Sequence, residues 1–146
     1  GRQRLIPDDP DTALKVRLWD RFFDNYIHVP MQKIVTDTLR APGENDTRGV
    51  ADARAALALA YGMADKHFAT HAFAAGDAFS LADCAATPAL FYGGIVEPFD
   101  RTHPHLSAYF ERLLERASVR RVLAEARPYF HMFPYRKLMP ERFFEI

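Results

Sequence analysis

Few side chains in this chain could do chemistry, and their spacing limits what each can do. Cys84 is the only cysteine, so neither an intramolecular disulfide nor a cysteine-built metal cluster is possible. Nothing beside it lowers its pKa except a helix start, so it reads as a core residue suited to a reducing compartment. His67 and His71 stand four apart like a metal-binding pair, but no third ligand or Glu motif accompanies them, so no metal site is assigned. His103 and His105 flank Pro104 and read as surface residues at a helix start. Ser80 and Asp83 open the most apolar segment, FSLADCAATPALF. Their Ser-x-x-Asp spacing is that of a capping box, in which the serine accepts from the N–H three residues on and the carboxylate reaches back. No residue is assigned a catalytic role.

The elements that would position these groups are all helical. Between Asp11 and about Leu39, Val16, Trp19, Phe23, Tyr26, Ile27, Pro30 and Ile34 recur every three or four residues. This predicts one long helix or two collinear ones. Pro30 opposes the carbonyl of Tyr26 and has no N–H, so a kink is expected there. A turn at APGEND leads to a second helix, Thr47 to His71, with Val50, Ala53, Leu57, Ala60, Tyr61, Ala64 and Phe68 as its stripe. A third runs from Leu81 to about Val96. It is apolar on nearly every side and therefore buried, so its first N–H groups depend on the Ser80–Asp83 box. Pro88 lies inside it and should bend it. A fourth helix spans Pro104 to Arg116. Ser118 looks like the cap of a fifth that runs to about Ala126.

These elements make an all-α chain of five or six helices. Residues 1–10 read as a linker, 11–126 as the helical domain and 127–146 as an aromatic, proline-rich tail. The tail is expected to bury Phe130, Phe133 and Phe143, either as a lid or over a domain seam. The chain has 146 residues, enough for one domain with a core. Its net charge is zero and it has no basic block, so nothing suggests nucleic acid. No apolar run reaches the roughly 18 residues that span a bilayer, and no signal peptide is visible. A cytoplasmic location is expected. Opening on Gly1 rather than Met, the chain reads as a piece of a longer protein.

Three segments in order carry a family resemblance. GDAFSLADCAATPALFY resembles the capped, buried helix of the C-terminal helical domain of cytosolic glutathione S-transferases. LIPDDPDTALKVRLWDRFFDNYI resembles the linker and first long helix of that domain, and HPHLSAYFERLLERASVRRVLAEA its last helices. The likeness covers nearly the whole chain up to about Ala126. It implies a helical bundle that binds a hydrophobic electrophile and forms homodimers. The parent protein would conjugate glutathione once joined to an N-terminal thioredoxin-like domain. That domain supplies the thiol-engaging residue in the family, so this chain alone is expected to be inactive. Glutathione enters as co-substrate and no cofactor is implied.

The nearest members are the beta-like bacterial ones. They have an Asn-Tyr-Ile and then a His-Lys pair on the first helix, and here Asn25, Tyr26 and Ile27 stand in that order. Gln32 and Lys33 fall at the His-Lys positions; glutamine keeps a hydrogen-bonding tip but cannot titrate. The resemblance implies that Asn25 reaches glutathione on the other subunit. It puts Tyr26, Gln32 and Lys33 at the electrophile pocket, and Tyr92, nine residues after Asp83, in its wall. From the residues themselves, Tyr26 and Tyr92 on apolar helices are more often core packing, and Lys33 serves equally as a solvated helix face. The face from Trp19 to Ile27 is the expected two-fold contact. The alternative function is a non-catalytic helical module for binding or assembly, such as the ligand-sensing domain of a transcriptional regulator. The sequence upstream would discriminate the two.

Overall fold

The computed structural model describes residues 4–145, so the first three residues of the expected linker and the last residue of the tail lie outside it. Every element is helical, and no strand forms among the described residues apart from a single bridge between Phe73 and Gly76. Six α-helices appear: α1 Pro10–Phe22, α2 Val29–Asp37, α3 Thr47–Phe68, α4 Leu81–Val96, α5 Pro104–Leu114 and α6 Ala117–Ala126. Three short 3-10 turns follow in the tail.

Asp9 starts α1, its carboxylate accepting from the N–H of Thr12 at 2.9 Å. The expected disturbance at Pro30 takes a particular form. α1 does not stop; it passes through a π-helical turn, Phe23–His28, and continues as α2. The N–H of Val29 donates to Asp24, five residues back. One extra residue is thus absorbed just ahead of the proline, whose missing N–H falls in the first turn of α2, where it is tolerated. The π turn carries Phe23 and Ile27 into the core and leaves Asn25 and Tyr26 outside.

At the centre lies α4, packed against α1, the π turn, α2 and α5. Ala82, Ala86 and Ala89 are buried on it and let its neighbours approach closely. The capping box at its start is closed. Asp83 is wholly buried and accepts from the N–H of Ser80 at 2.8 Å and from the Ser80 hydroxyl at 2.9 Å. The N–H of Leu81 donates to Leu5 in the linker. Farther along, Pro88 has no N–H to give the carbonyl of Cys84, and it stands on the wall of a cavity.

α5 is capped from outside its own sequence. Asp65, on α3, accepts from the N–H groups of His105 and Leu106 at 2.8 and 3.0 Å. The start of α6 differs from the sequence expectation. Arg116 holds the N-cap position and makes no side-chain cap bond, while Ser118 lies within the first turn. The extended backbone that an N-cap needs falls at Arg116, two residues earlier than the side chain best suited to the task.

The aromatic tail folds back on α4. Phe130 and Phe143 are buried against Phe91, with ring centroids 5.6 and 4.8 Å away, and Phe133 lies 4.8 Å from Tyr92. Arg142 holds Glu111 of α5 through two nitrogens, at 2.8 and 2.9 Å.

Candidate functional site

A cavity of about 560 Å³ opens beside α4. That volume suits a small organic ligand. Cys84, Thr87, Pro88, Phe91 and Tyr92 of α4 line it, together with Ser118, Val119, Val122, Leu123 and Ala126 of α6 and with Phe79, Phe130 and Leu5. The lining is apolar with few exceptions. Among the described residues Arg116 is its single charged side chain, and no carboxylate lines it.

Tyr92 is half-buried, between Phe91 and Phe133. Burial raises the pKa of its phenol, which therefore stays protonated and remains a hydrogen-bond donor. Cys84 is half-buried, and burial, then the Asp83 carboxylate, push its thiol up, with Arg116 opposing. A thiol held protonated is a poor nucleophile. The hydroxyl of Thr87 donates to the carbonyl of Asp83 at 2.8 Å.

The other residues singled out from the sequence lie elsewhere. Asn25 is exposed on the π turn. Tyr26, 60% exposed, rests against Phe22. Gln32 is exposed on α2, and its backbone carbonyl accepts from the Thr36 hydroxyl. Lys33 is partly buried, and its ammonium is bonded to Asp46, the N-cap of α3. That bond, and then the N–H of Gly49, hold the Asp46 carboxyl below the usual carboxylate range. A side chain at Gly49 would meet Asp46 and Lys33, so the pair would have to shift to admit one. Asn25, Tyr26, Gln32 and Lys33 therefore share one helix run, and none of them lines the cavity that Tyr92 walls.

Sequence spacing missed three participants. The Tyr109 hydroxyl donates to Asp83 at 2.6 Å, and the N–H of Ala74 donates to the same oxygen at 2.9 Å. Burial and Asp83 hold the Tyr109 phenol well above its usual pKa, so it remains a donor. Arg116 lies over the Phe79 ring, its guanidinium carbon 3.7 Å from the centroid. Tyr109 could have been found as the one polar aromatic on the Leu106–Leu113 stripe of α5. Nothing local marks Ala74 or Arg116.

The two histidines are engaged with their neighbours. His67 lies tilted against Trp19 with ring centroids 4.0 Å apart and stacks on His71 at 4.1 Å, and its Nε2–H donates to the carbonyl of Ala74 at 2.9 Å. Trp19 thus faces inward, and Ile27 is wholly buried. The exposed apolar residues of that helix run are Leu14, Leu18, Tyr26 and Val29.

The family model for the glutathione S-transferase C-terminal domain matches residues 22–117. Among curated proteins, a glutathione S-transferase-like protein, LUC7, of Fusarium sp. is 28% identical over 124 residues, 82% of this chain and 56% of that protein. Among solved structures, a glutathione S-transferase of Methylobacillus flagellatus with glutathione bound superposes with a TM-score of 0.73 at 22% identity, over 80% of this chain and 58% of that one. The glutathione transferase URE2P8 of Phanerochaete chrysosporium, with oxidized glutathione, superposes at 0.77 and 15% identity, over 89% and 60%. The last two show a shared fold. The chain spans little more than half the length of the curated relative.

Proposed function

Because this chain belongs to the glutathione S-transferase C-terminal domain family, we propose that it is the electrophile-binding and dimerisation half of a glutathione-conjugating enzyme. The observation that carries this reading is the apolar cavity walled by Tyr92 on the capped helix α4. An electrophile there would lose its water, and the site's contribution to rate would be desolvation and positioning. No nucleophile is supplied from this side, since the one thiol in the wall is held protonated. Activation of glutathione falls to the rest of the parent protein, proposed to be a thioredoxin-like domain. The parent is proposed to be a cytoplasmic homodimer, nearest to beta-like bacterial members.

Within that reading, Asn25 contacts glutathione across the dimer, where its exposure on the π turn leaves it free to reach. Tyr92 is proposed as a wall of the electrophile pocket, and Tyr26, Gln32 and Lys33, which lie on the first helix run outside the Tyr92 cavity, are proposed to contact the electrophile from there. Lys33 would act from its bond with Asp46, or after releasing it. The two-fold contact is proposed to use Leu14, Leu18, Tyr26 and Val29, the apolar residues left exposed along this run.

Steady-state kinetics of the parent protein, varying each substrate separately, tests the assignment. Asn25→Ala should raise KM for glutathione with little change in kcat, the sign of lost uniform binding. Lys33→Ala should change which electrophiles are accepted. If neither substitution moves any constant by more than about twofold, under ~0.4 kcal/mol, these residues are scaffold. The chain alone, mixed with glutathione and an aromatic halide, should give no conjugate above the uncatalysed rate.

A further inference from the structure

The linker contributes a side chain to the Tyr92 cavity. Leu5 lines it, and among the described residues it is the only lining residue that precedes α1. Its place is fixed by the needs of a neighbour. The start of α4 is buried at Ser80, Ala82 and Asp83, so its first N–H groups depend on protein partners. Those of Asp83 and Cys84 share the carbonyl of Ser80, at 3.2 and 3.3 Å, while that of Leu81 donates to the carbonyl of Leu5 at 2.9 Å. Ile6, next in the chain, packs against the core, and Arg4 pairs with Asp8 across the segment. A linker held in this way keeps Leu5 at the cavity although its side chain is 44% exposed. A second hollow, of about 420 Å³, is lined by Arg4, Pro7 and Asp8 of the same linker. Phe79 lines both hollows, so they adjoin at Phe79 and at the linker. Phe79 is buried, lies 3.7 Å below the Arg116 guanidinium and meets Phe73 edge-on. Leu5 stands outside the buried core, so it is the part of this boundary that a substitution can trim without opening that core.

We propose that Leu5 is a specificity-determining residue: it closes the acceptor cavity where that cavity adjoins the second hollow, and so limits the length of apolar ligand that the cavity accepts. The linker is then a wall of the site as well as a connection. This rests on the reading of the cavity as the acceptor pocket and adds to it the residue that bounds its substrates.

The test is direct binding to this chain of neutral phenyl alkyl ketones, in steps of one methylene from acetophenone to octanophenone. Calorimetry gives the affinities. Protection of Cys84, the only cysteine and a lining residue, against a thiol reagent locates the ligand. Affinity should rise about fourfold with each methylene that finds apolar wall, then level off at the length that meets Leu5. Leu5→Ala, which removes three carbons, should move that limit to a ketone about one to three carbons longer. Leu5→Trp should move it to a shorter one. Acetophenone should bind all three proteins within about twofold, which also reports an intact cavity. A residue with only a structural role would instead lower every affinity by one factor and leave the limit in place. Should the tryptophan variant fail to fold, wild type and the alanine variant decide. The same limit in wild type and Leu5→Ala, or a rise that never levels in wild type, overturns the proposal and leaves the acceptor-pocket reading standing. If no ketone binds or slows labelling of Cys84, both readings fall together.

Discussion

Asp83 accepts four hydrogen bonds, from the Ser80 N–H and hydroxyl, the Ala74 N–H and the Tyr109 hydroxyl. All four residues are buried. Asp83→Ala would leave several donors with neither partner nor water, and the cost should be about 3 kcal/mol or more. Tyr109→Phe removes one bond and should cost about 1–2 kcal/mol. Urea melts of the three proteins check both values; coincident midpoints would show that the network holds nothing in place. Half of this network was legible in the sequence, because Ser80 and Asp83 are three apart and a capping box is a local device. Tyr109 and Ala74 were not, because nothing in local spacing ties position 83 to a helix 26 residues on or to the preceding turn. His67 supports a second prediction at this scale. Burial is the main cause of its lowered pKa, and His71 adds to it. The unfolded chain thus binds the proton more readily, so stability is full above the unfolded value of about 6.5 and falls as pH drops through it toward the folded value. Urea midpoints should decline from pH 7.5 to pH 5.5, by the same linkage, over a window of about two pH units. His67→Gln should flatten that decline.

Helices were read correctly where their signals are local. α4 begins and ends where its cap and its apolar run predicted, and Pro104 opens α5 as expected. Pro30 announced a disturbance but not its form, since a proline constrains its own φ and N–H and leaves open how the preceding turn absorbs the mismatch. Ser118 misled because a cap is a backbone position first and a side-chain preference second. For the tail, composition promised burial without saying against what. The structure sets Phe130, Phe133 and Phe143 on Phe91 and Tyr92, which makes the tail part of the core. Truncation after Ala126 should therefore lower the melting temperature sharply and expose α4. A calorimetric scan, with binding of a dye that seeks apolar surface, would show it. A truncated chain that melts like the whole would mean that the tail only rests on a core already complete.

At the scale of the molecule, the helix run from Leu14 to Val29 keeps four large apolar side chains in water. A two-fold pairing would use each of them twice. In the parent protein, Leu18→Glu should shift sedimentation from dimer toward monomer while the circular dichroism stays unchanged. The chain alone should sediment mainly as monomer at about ten micromolar, a concentration that only an interface with a Kd near or below it would populate. A stable dimer of the isolated chain would place the whole interface within these helices.

The π turn also bears on how this protein can be lined up with its kin. A residue absorbed at Phe23–His28 turns everything beyond it by about 100° relative to an uninterrupted α-helix. Against any relative whose first helix runs straight through, a gapless alignment can match Asn25 or Lys33 to the same direction in space, but not both. Homology transferred letter by letter across Val29 would then put Gln32 and Lys33 on the wrong side of the helix while every column of the alignment looked sound.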